Sequence, residues 1–265
     1  MFLTLTDIKD ISVAMSEALR VDFTNYNTSF LKRRVTRAIE KLNLHKVQEL
    51  INLLKDPQKA EEVAFLMQVP CTELFRDPAF WRALRKNLTG RKQLSVWFPH
   101  LTNGYELYSL MILLKQMGIP QTRVVASTFS QLVIDKAKQL NITSKIDEVN
   151  RYNFERLEIA NKYDEYVDVC DNVTTIKPEI ISSVEFHKEW YINEKVEKYD
   201  LIIFRNVTLN YNVLLHERAI ERLVQSLNDD GLLTIGIKEV ILPRTLRLNE
   251  VNANEGIYGV KKQNV

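Results

Sequence analysis

The sequence predicts an α/β protein in which a small N-terminal helical domain precedes a larger domain built on a mostly parallel sheet. Two observations favour this fold class. In the first third of the 265 residues, apolar residues recur at helical spacing and no segment shows sustained alternation. After Gly90, short β-rich runs alternate with helical ones, an order typical of parallel strands whose connecting helices cover the sheet. We therefore expect a helical domain with its linker at residues 1–88 and an α/β domain at 89–265.

The helical domain begins with a segment that should start near Thr6 or Asp7, both favourable N-caps, and end near Leu19. The second helix is expected after Asn27-Thr28. Asp56-Pro57 then separates two further segments, because a proline ends one helix and can open the next. These two segments are predicted at about 46–54 and 58–68.

The second helix has two distinct faces. Its apolar face carries Leu31, Val35, Ala38 and Leu42, whereas Arg34, Arg37 and Lys41 form a basic stripe on another face. Such a stripe is usually a solvated surface, and the alternative is docking on an acidic partner.

The α/β domain should end in a pair of antiparallel strands and carry a small β insertion. Between about 149 and 186 the alternation lapses, and two short β-rich runs around Asp171-Asn172 predict a hairpin. The predicted strands are 94–98, 123–126, 166–169, 173–176, 201–204, 232–237, 245–248 and 257–260. One predicted helix follows the first strand and ends near residue 116, and two others cover 131–139 and 213–227.

Composition excludes several classes of function. A net charge of +2 gives no electrostatic case for binding nucleic acid. No stretch approaches the roughly 18 apolar residues of a membrane span, and the N-terminus lacks the pattern of a secretion signal, so we expect a cytoplasmic protein. Two distant cysteines and four histidines without ligand spacing argue against a metal site, and only seven glycines argue against a glycine-rich phosphate loop.

Ligands of open α/β sheets bind beyond the carboxyl ends of the strands, so the residues that follow each strand are the candidates for chemistry. Three such segments and the interdomain linker contain polar side chains. These segments are 99–106, 127–130, 205–212 and 72–78.

At these segments the sequence resembles the chemotaxis receptor methyltransferase family, CheR. The linker from Val69 to Phe80 is similar to the family's V-x-x-T-E-x-F-R-D-P-x-F pattern, and the segment from Trp97 to Leu110 is similar to its cofactor loop. Asp200 to Val207 resembles the D-L-I-x-C-R-N-V strand, and Leu31 to Val35 resembles the basic second helix of the family's N-terminal domain. The resemblance covers nearly the whole chain.

The resemblance implies a Rossmann-like S-adenosylmethionine methyltransferase domain that methylates glutamate side chains of receptors. It implies that Arg76 lies beside the transferred methyl group and orients the acceptor carboxylate. The alternative is that Arg76 pairs with Asp77 or Glu73. It also implies cofactor contacts from Thr72, Arg76, Glu106, Thr128, Arg205 and Asn206, and partner contacts from Arg34, Arg37 and Lys41. Helix capping remains open as the role of Thr72, Glu106 or Asn206.

The sequence also departs from the family pattern in the cofactor segments. His100 replaces the first glycine of the loop, which adds a side chain where backbone approaches the cofactor. Thr128 stands where the family has the aspartate that binds the ribose, and Asn210 stands where it has a tyrosine. The H-N-L signature that should supply an asparagine reads Glu189-Trp190-Tyr191.

These departures leave competing hypotheses. A hydrogen bond to a charged group is worth about 1.5–3 kcal/mol, so the loss of the ribose aspartate should weaken cofactor binding roughly 10- to 150-fold. The first hypothesis is a receptor-type protein-glutamate methyltransferase that binds its cofactor weakly and uses no metal. The second is an inactive pseudo-methyltransferase that binds a chemotaxis receptor or a similar acidic helical signalling protein. A third, a methyltransferase with another acceptor or cofactor, depends only on the altered loop.

Overall fold

The computed structural model describes residues 3–159, 161–170, 173–241 and 248–261. The chain forms a helical N-terminal region followed by a Rossmann-like α/β domain. The helices are α1 (Leu5–Leu19), α2 (Thr28–Lys41), α3 (Val47–Leu53), α4 (Pro57–Met67), α5 (Pro78–Leu88), α6 (Tyr105–Met117), α7 (Gln131–Lys138), α8 (Ser144–Glu155) and α9 (Val213–Gln225). The strands are β1 (Leu94–Phe98), β2 (Gln121–Thr128), β3 (Asn141–Ile142), β4 (Val167–Cys170), β5 (Val173–Ile176), β6 (Val184–Lys188), β7 (Tyr199–Ile203), β8 (Leu227–Thr234), β9 (Leu248–Asn252) and β10 (Ile257–Val260).

The main sheet has the strand order β6-β2-β1-β7-β8-β10-β9. Its first five strands are parallel, and β10 pairs antiparallel with both β8 and β9. A separate antiparallel sheet of order β3-β5-β4 lies between α7 and β6 in sequence. The predicted α/β fold class, with antiparallel final strands and an inserted β subdomain, is therefore confirmed. The turn Asp171-Asn172 and the predicted strand start at 245–247 lie outside the described residues.

Three predicted element positions were wrong. The N-cap of α1 is Thr4 rather than Thr6 or Asp7, because Asp7 closes a capping box in which its carboxylate accepts the Thr4 N–H at 2.8 Å. Strand β6 lies inside the predicted insertion, where it forms the parallel edge of the main sheet. Strand β8 begins at Leu227 rather than residue 232, because the pairing with β7 shifts register between Tyr199 and Leu201.

The N-terminal helices and the α/β domain share a hydrophobic core. One of the two clusters of buried side chains in the described residues joins the N-terminal helices to α9, to Trp97 of β1 and to Phe204, which follows β7. The backbones also meet, because the Asn27 N–H donates to the Asn210 carbonyl at 2.8 Å and the Asn212 N–H donates to the Asn25 carbonyl at 2.9 Å. The helical domain therefore packs directly over the carboxyl ends of the parallel strands.

None of the helices in the described ranges is long and apolar enough to cross a bilayer.

Candidate active site

The carboxyl ends of β1, β2 and β7 meet under the linker and the N-terminal domain, where they enclose a cavity of about 60 Å³. Four of the predicted site residues line this cavity, namely Arg76, Glu106, Arg205 and Asn206. Thr72 and Thr128 are not among its lining residues. The N-terminal domain contributes aromatic side chains, Phe23, Tyr26 and Phe30.

Arg205 is the charged centre of the site, and its side chain is 0% exposed. Its guanidinium bonds to Asp77 Oδ2 at 2.7 Å and to Glu106 Oε1 at 3.0 Å, and it lies 3.9 Å from the centre of the Phe80 ring. Burial raises the pKa of the Glu106 carboxyl, and the nearby Arg205 opposes that shift. Glu106 thus forms a buried ion pair in the first turn of α6.

A strained linker presents Arg76 to the cavity. The residues on either side, Phe75 and Asp77, adopt left-handed backbone angles of φ 50° and 60°, which are uncommon for residues other than glycine. The Phe75 N–H donates to Ser109 Oγ at 2.8 Å, and the Arg76 carbonyl accepts from Trp81 Nε1 at 2.9 Å. These bonds fix the backbone of the turn.

The predicted alternative for Arg76, an ion pair with Asp77 or Glu73, was wrong. Asp77 forms its ion pair with Arg205 instead. Within the described ranges, no ion pair includes the Arg76 guanidinium. Thr72 is exposed and precedes a turn rather than a helix, so the capping alternative for Thr72 was wrong as well.

Asn206 lies in a left-handed turn after β7, with φ 60°. Its N–H donates to Glu239 Oε2 at 2.7 Å, and a Cβ at Gly236 would come within 2.5 Å of Asn206 Oδ1. The N-cap of α9 is Asn212, whose side chain accepts the Leu215 N–H at 2.9 Å, so the capping alternative for Asn206 was wrong. Glycine at 236 is what leaves room for the Asn206 side chain.

Sequence reasoning missed Glu239, a carboxylate that is only 7% exposed. Besides the Asn206 N–H, it accepts the Thr208 N–H at 2.6 Å and the Thr208 hydroxyl at 2.7 Å, and it also accepts the Gly236 N–H. One carboxylate thus holds the turn that carries Asn206. Applying the rule of strand carboxyl ends to β8 would have found it, because Glu239 follows that strand by five residues.

The end of β2 is filled by apolar side chains. Thr128 is 1% exposed and its hydroxyl has no hydrogen-bond partner among the described groups. The next residue, Phe129, makes an edge-to-face contact with Phe23 at 5.8 Å and lies 5.9 Å from the His100 ring, both measured between centroids. Burial lowers the pKa of His100 to about 4, so this imidazole is neutral at neutral pH.

A second cavity, of about 660 Å³, lies on the other side of Phe129. Its walls include Glu61 of α4 and Lys188 of β6, which pair at 2.7 Å. Glu61 also accepts from Ser130 Oγ at 2.7 Å and from the Leu132 N–H at 3.2 Å, at the start of α7. The helical domain therefore reaches the helix that follows β2.

The predicted basic stripe on α2 is divided in the structure. Arg34 is half-buried and donates to the carbonyls of Leu66 and Gln68 at the end of α4, and burial lowers its pKa to about 10. Arg37 and Lys41 are exposed. Arg34 thus secures two helices of its own domain, and partner binding by this stripe stays a prediction.

The parallel sheet, the cavity at its carboxyl ends and the helical domain above it form a Rossmann-like architecture, which two family models identify as that of a methyltransferase. Residues 70–257 match the family model described as CheR methyltransferase, SAM binding domain, and residues 6–69 match the CheR methyltransferase all-alpha domain. The chain belongs to the CheR methyltransferase family, and its S-adenosylmethionine-binding domain is the one the sequence predicted. The predicted boundary at 88/89 lies after the linker and stays a prediction.

Curated relatives align with this chain along most of their length. A putative methyltransferase Cher3 of Pseudomonas putida is 26% identical over 227 residues, covering 83% of each chain. A chemotaxis protein methyltransferase of Campylobacter jejuni is 22% identical over 259 residues, covering 95% of each chain. Among solved structures, the N-methyltransferase NodS of Bradyrhizobium japonicum with S-adenosyl-L-homocysteine aligns over 62% of each chain at 13% identity, with a TM-score of 0.37.

The charged groups of the site fit S-adenosylmethionine, whereas the volume of the smaller cavity does not. Glu106 Oε2, the oxygen that Arg205 does not bond, suits a cationic ammonium or sulfonium, and the Arg76 guanidinium suits a carboxylate. The enclosed 60 Å³ is smaller than the roughly 300–1,000 Å³ of most ligand pockets. The second cavity, of about 660 Å³, which shares Phe129 with the first, falls within that range.

Acidification should destabilise the protein through His100. The unfolded chain binds a proton at its histidines near pH 6.5, at about the reference pKa, whereas folded His100 does so only near 4. Between these values the unfolded state binds more protons, so stability falls as the pH falls. We expect a loss of about 2 kcal/mol from pH 7 to pH 5 that His100→Gln does not show. Urea unfolding at both pH values measures it, and an identical pH dependence of the two proteins would contradict the prediction.

Proposed function

We propose that the protein transfers methyl groups from S-adenosylmethionine to glutamate side chains of a methyl-accepting chemotaxis receptor or a similar acidic helical signalling protein, and that its turnover is limited by weak cofactor binding. The observation that carries this proposal is the Arg76 guanidinium, which lines the cavity and forms no ion pair within the described residues. Membership of the CheR family and relatives named chemotaxis protein methyltransferase support the choice of acceptor.

Methyl transfer to a carboxylate requires mainly that the protein position the cofactor and the acceptor. When bound, the cofactor would supply an activated methyl group, whose carbon–sulfur bond breaks as the acceptor's carboxylate oxygen bonds to the methyl carbon, with the neutral thioether S-adenosylhomocysteine as leaving group. A glutamate is already ionised at neutral pH, so no general base is needed. Arg76 would hold the acceptor carboxylate through one or two charge-assisted hydrogen bonds, and the rigid linker turn would fix its direction.

The two acidic partners of Arg205 explain why Arg76 remains available. Asp77 and Glu106 could each neutralise a nearby arginine, yet both bond to Arg205, 2.7 and 3.0 Å away. Arg205 is therefore neutralised and has a structural role. Arg76 keeps its charge unpaired within the described residues and can bind an anionic substrate. This division of roles supports methyl transfer to a carboxylate.

Weak cofactor binding follows from the end of β2. The family's ribose aspartate is replaced by Thr128, which is buried and has no hydrogen-bond partner in the described part of the chain. Neutral His100 and Phe129 occupy the neighbouring volume. These features equally favour the second candidate function, an inactive methyltransferase fold that acts by binding its signalling partner.

Variants of Arg76 test the proposal. We expect Arg76→Ala to reduce the transfer of labelled methyl groups into receptor fragments about 100-fold or more, because the acceptor loses its orienting cation. The affinity for S-adenosylhomocysteine, measured by calorimetry, should fall as well, because the guanidinium also suits the carboxylate of this ligand, so the transfer rates are compared at saturating cofactor. Arg76→Lys keeps the charge without the planar fork and should recover part of the activity.

The matched control is Arg82→Ala, on α5 and outside the cavity lining, which should retain full activity. Equal losses in the two alanine variants would refute a specific role for Arg76. A wild-type protein that binds neither S-adenosylmethionine nor S-adenosylhomocysteine at millimolar concentration, with an unshifted melting temperature, would reject the enzyme and leave the binding module.

A further inference from the structure

The two cavities at the carboxyl edge of the sheet are separated by one side chain. Phe129 lines both the 60 Å³ cavity that contains Arg76 and the 660 Å³ cavity that contains Lys188. Among the described residues that line either space, it is the single residue common to both. The Phe129 ring therefore acts as a partition within one elongated space.

The backbone of the partition is fixed by hydrogen bonds, whereas its ring is a buried apolar group that packs against neighbouring side chains. Thr128 pairs with Lys188 in the sheet, and Ser130 Oγ donates to Glu61 at 2.7 Å. The ring itself touches Phe23 edge-to-face and His100 at a tilt of 44°. Rotation about the side-chain bonds of Phe129 thus changes the partition without breaking a backbone hydrogen bond.

Both sides of the partition contain polar groups that suit one bipolar ligand. On the near side, Arg76 and Glu106 match an amino-acid group that carries both charges. On the far side, Trp190 is 5% exposed and its indole N–H has no partner in the described part of the chain, although it lines the cavity. A buried donor of this kind favours a ligand with an acceptor, such as a ring nitrogen of a purine.

We propose that Phe129 is the residue that limits the affinity of this chain for S-adenosylmethionine, because its ring blocks the passage between the amino-acid half and the adenosyl half of the site. This inference rests on the proposed cofactor and adds the residue that sets its binding strength. The ligand binds only when the ring rotates out of the passage and the two cavities join.

The test is calorimetric titration of the full chain with S-adenosylhomocysteine, which requires no acceptor protein. Phe129→Leu removes the ring and should tighten the dissociation constant about 10-fold or more, because the joined space is then present before the ligand binds. The control is Phe65→Leu, the same change on α4 at a residue that is not among the lining residues of either cavity, and it should shift the dissociation constant by less than about 3-fold.

Folding and the far subsite need separate checks. Phe129→Met nearly conserves side-chain volume but is flexible, so it should tighten binding in the same direction even if the leucine variant proves unstable by its melting temperature. In the Phe129→Leu background, adding Trp190→Phe should remove much of the gain. Unchanged or weaker binding in both the leucine and methionine variants would overturn the inference, whether or not the wild-type protein methylates receptor fragments.

Discussion

Replacing Arg205 with methionine should lower the free energy of unfolding by about 3–5 kcal/mol, which is the usual cost of removing one partner from a buried ion pair. The guanidinium is fully buried between Asp77 and Glu106 and stacks on Phe80, so methionine would leave two carboxylates without their counter-charge. Urea unfolding at pH 7 measures the loss.

Arg123 provides a matched control for Arg205. It also bonds two carboxylates, those of Glu185 and Glu197, but its side chain is 34% exposed. Surface pairs contribute about 0–1 kcal/mol, so Arg123→Met should cost far less. Comparable losses at both positions would contradict the prediction. The Arg205→Met penalty should also shrink as the pH falls, because burial already raises the pKa of Glu106 and a protonated carboxyl needs no cation.

Replacing Glu239 with glutamine should lower the free energy of unfolding by about 3 kcal/mol, although the two side chains have the same shape. The carboxylate accepts bonds from the Asn206 and Thr208 backbones and from the Thr208 hydroxyl, at 2.6–2.7 Å. A glutamine places an NH₂ group against some of these donors and leaves them unsatisfied. Because the same bonds hold Asn206, the affinity for S-adenosylhomocysteine should fall as well.

Glu194 is a suitable comparison for Glu239. Its side chain is also buried, at 8% exposed, but its Oε1 atom accepts no hydrogen bond within 3.5 Å among the described groups and lies 3.8 Å from His187 Nδ1, and burial raises its pKa, a shift that Ser127 and His187 oppose. Glu194→Gln should therefore change stability by less than about 1 kcal/mol in either direction. A Glu239→Gln loss no larger than that of Glu194→Gln would show that the four accepted bonds do not stabilise the turn.

The sequence was sufficient to predict elements with strong local signals. Strand β1 coincides with the predicted residues 94–98, and α9 begins where predicted at Val213. Edge strand β6 escaped prediction because its side chains are only partly buried, so Val184–Lys188 lacks a pronounced apolar run. The start of β8 at Leu227 was not predicted because Asp229-Asp230-Gly231 resembles a turn. In the structure, these residues lie at a register shift in the pairing of β8 with β7.

For the site, the family motifs and the strand-end rule placed Arg76, Glu106, Arg205 and Asn206 at one cavity. They could not indicate which carboxylates pair with which arginine, because Arg205 and Asp77 are 128 residues apart in the chain. The sequence also could not indicate that Phe129 lies between the two cavities. That position depends on Phe23 and Glu61 of the helical domain, and no local periodicity encodes a contact between separate domains.

The shared core has a consequence for how this protein is made. Asn25 and its hydrogen-bonded partner Asn212 are 187 residues apart in the chain. At about 5–20 residues per second, a ribosome needs roughly 10–40 s to synthesise the intervening segment. During this interval the apolar faces of α1 and α2 have no α9 to pack against. We therefore expect the N-terminal helices to depend on the α/β domain for burial, and a fragment that ended at residue 69 would expose the surface that the sheet and α9 cover in this chain.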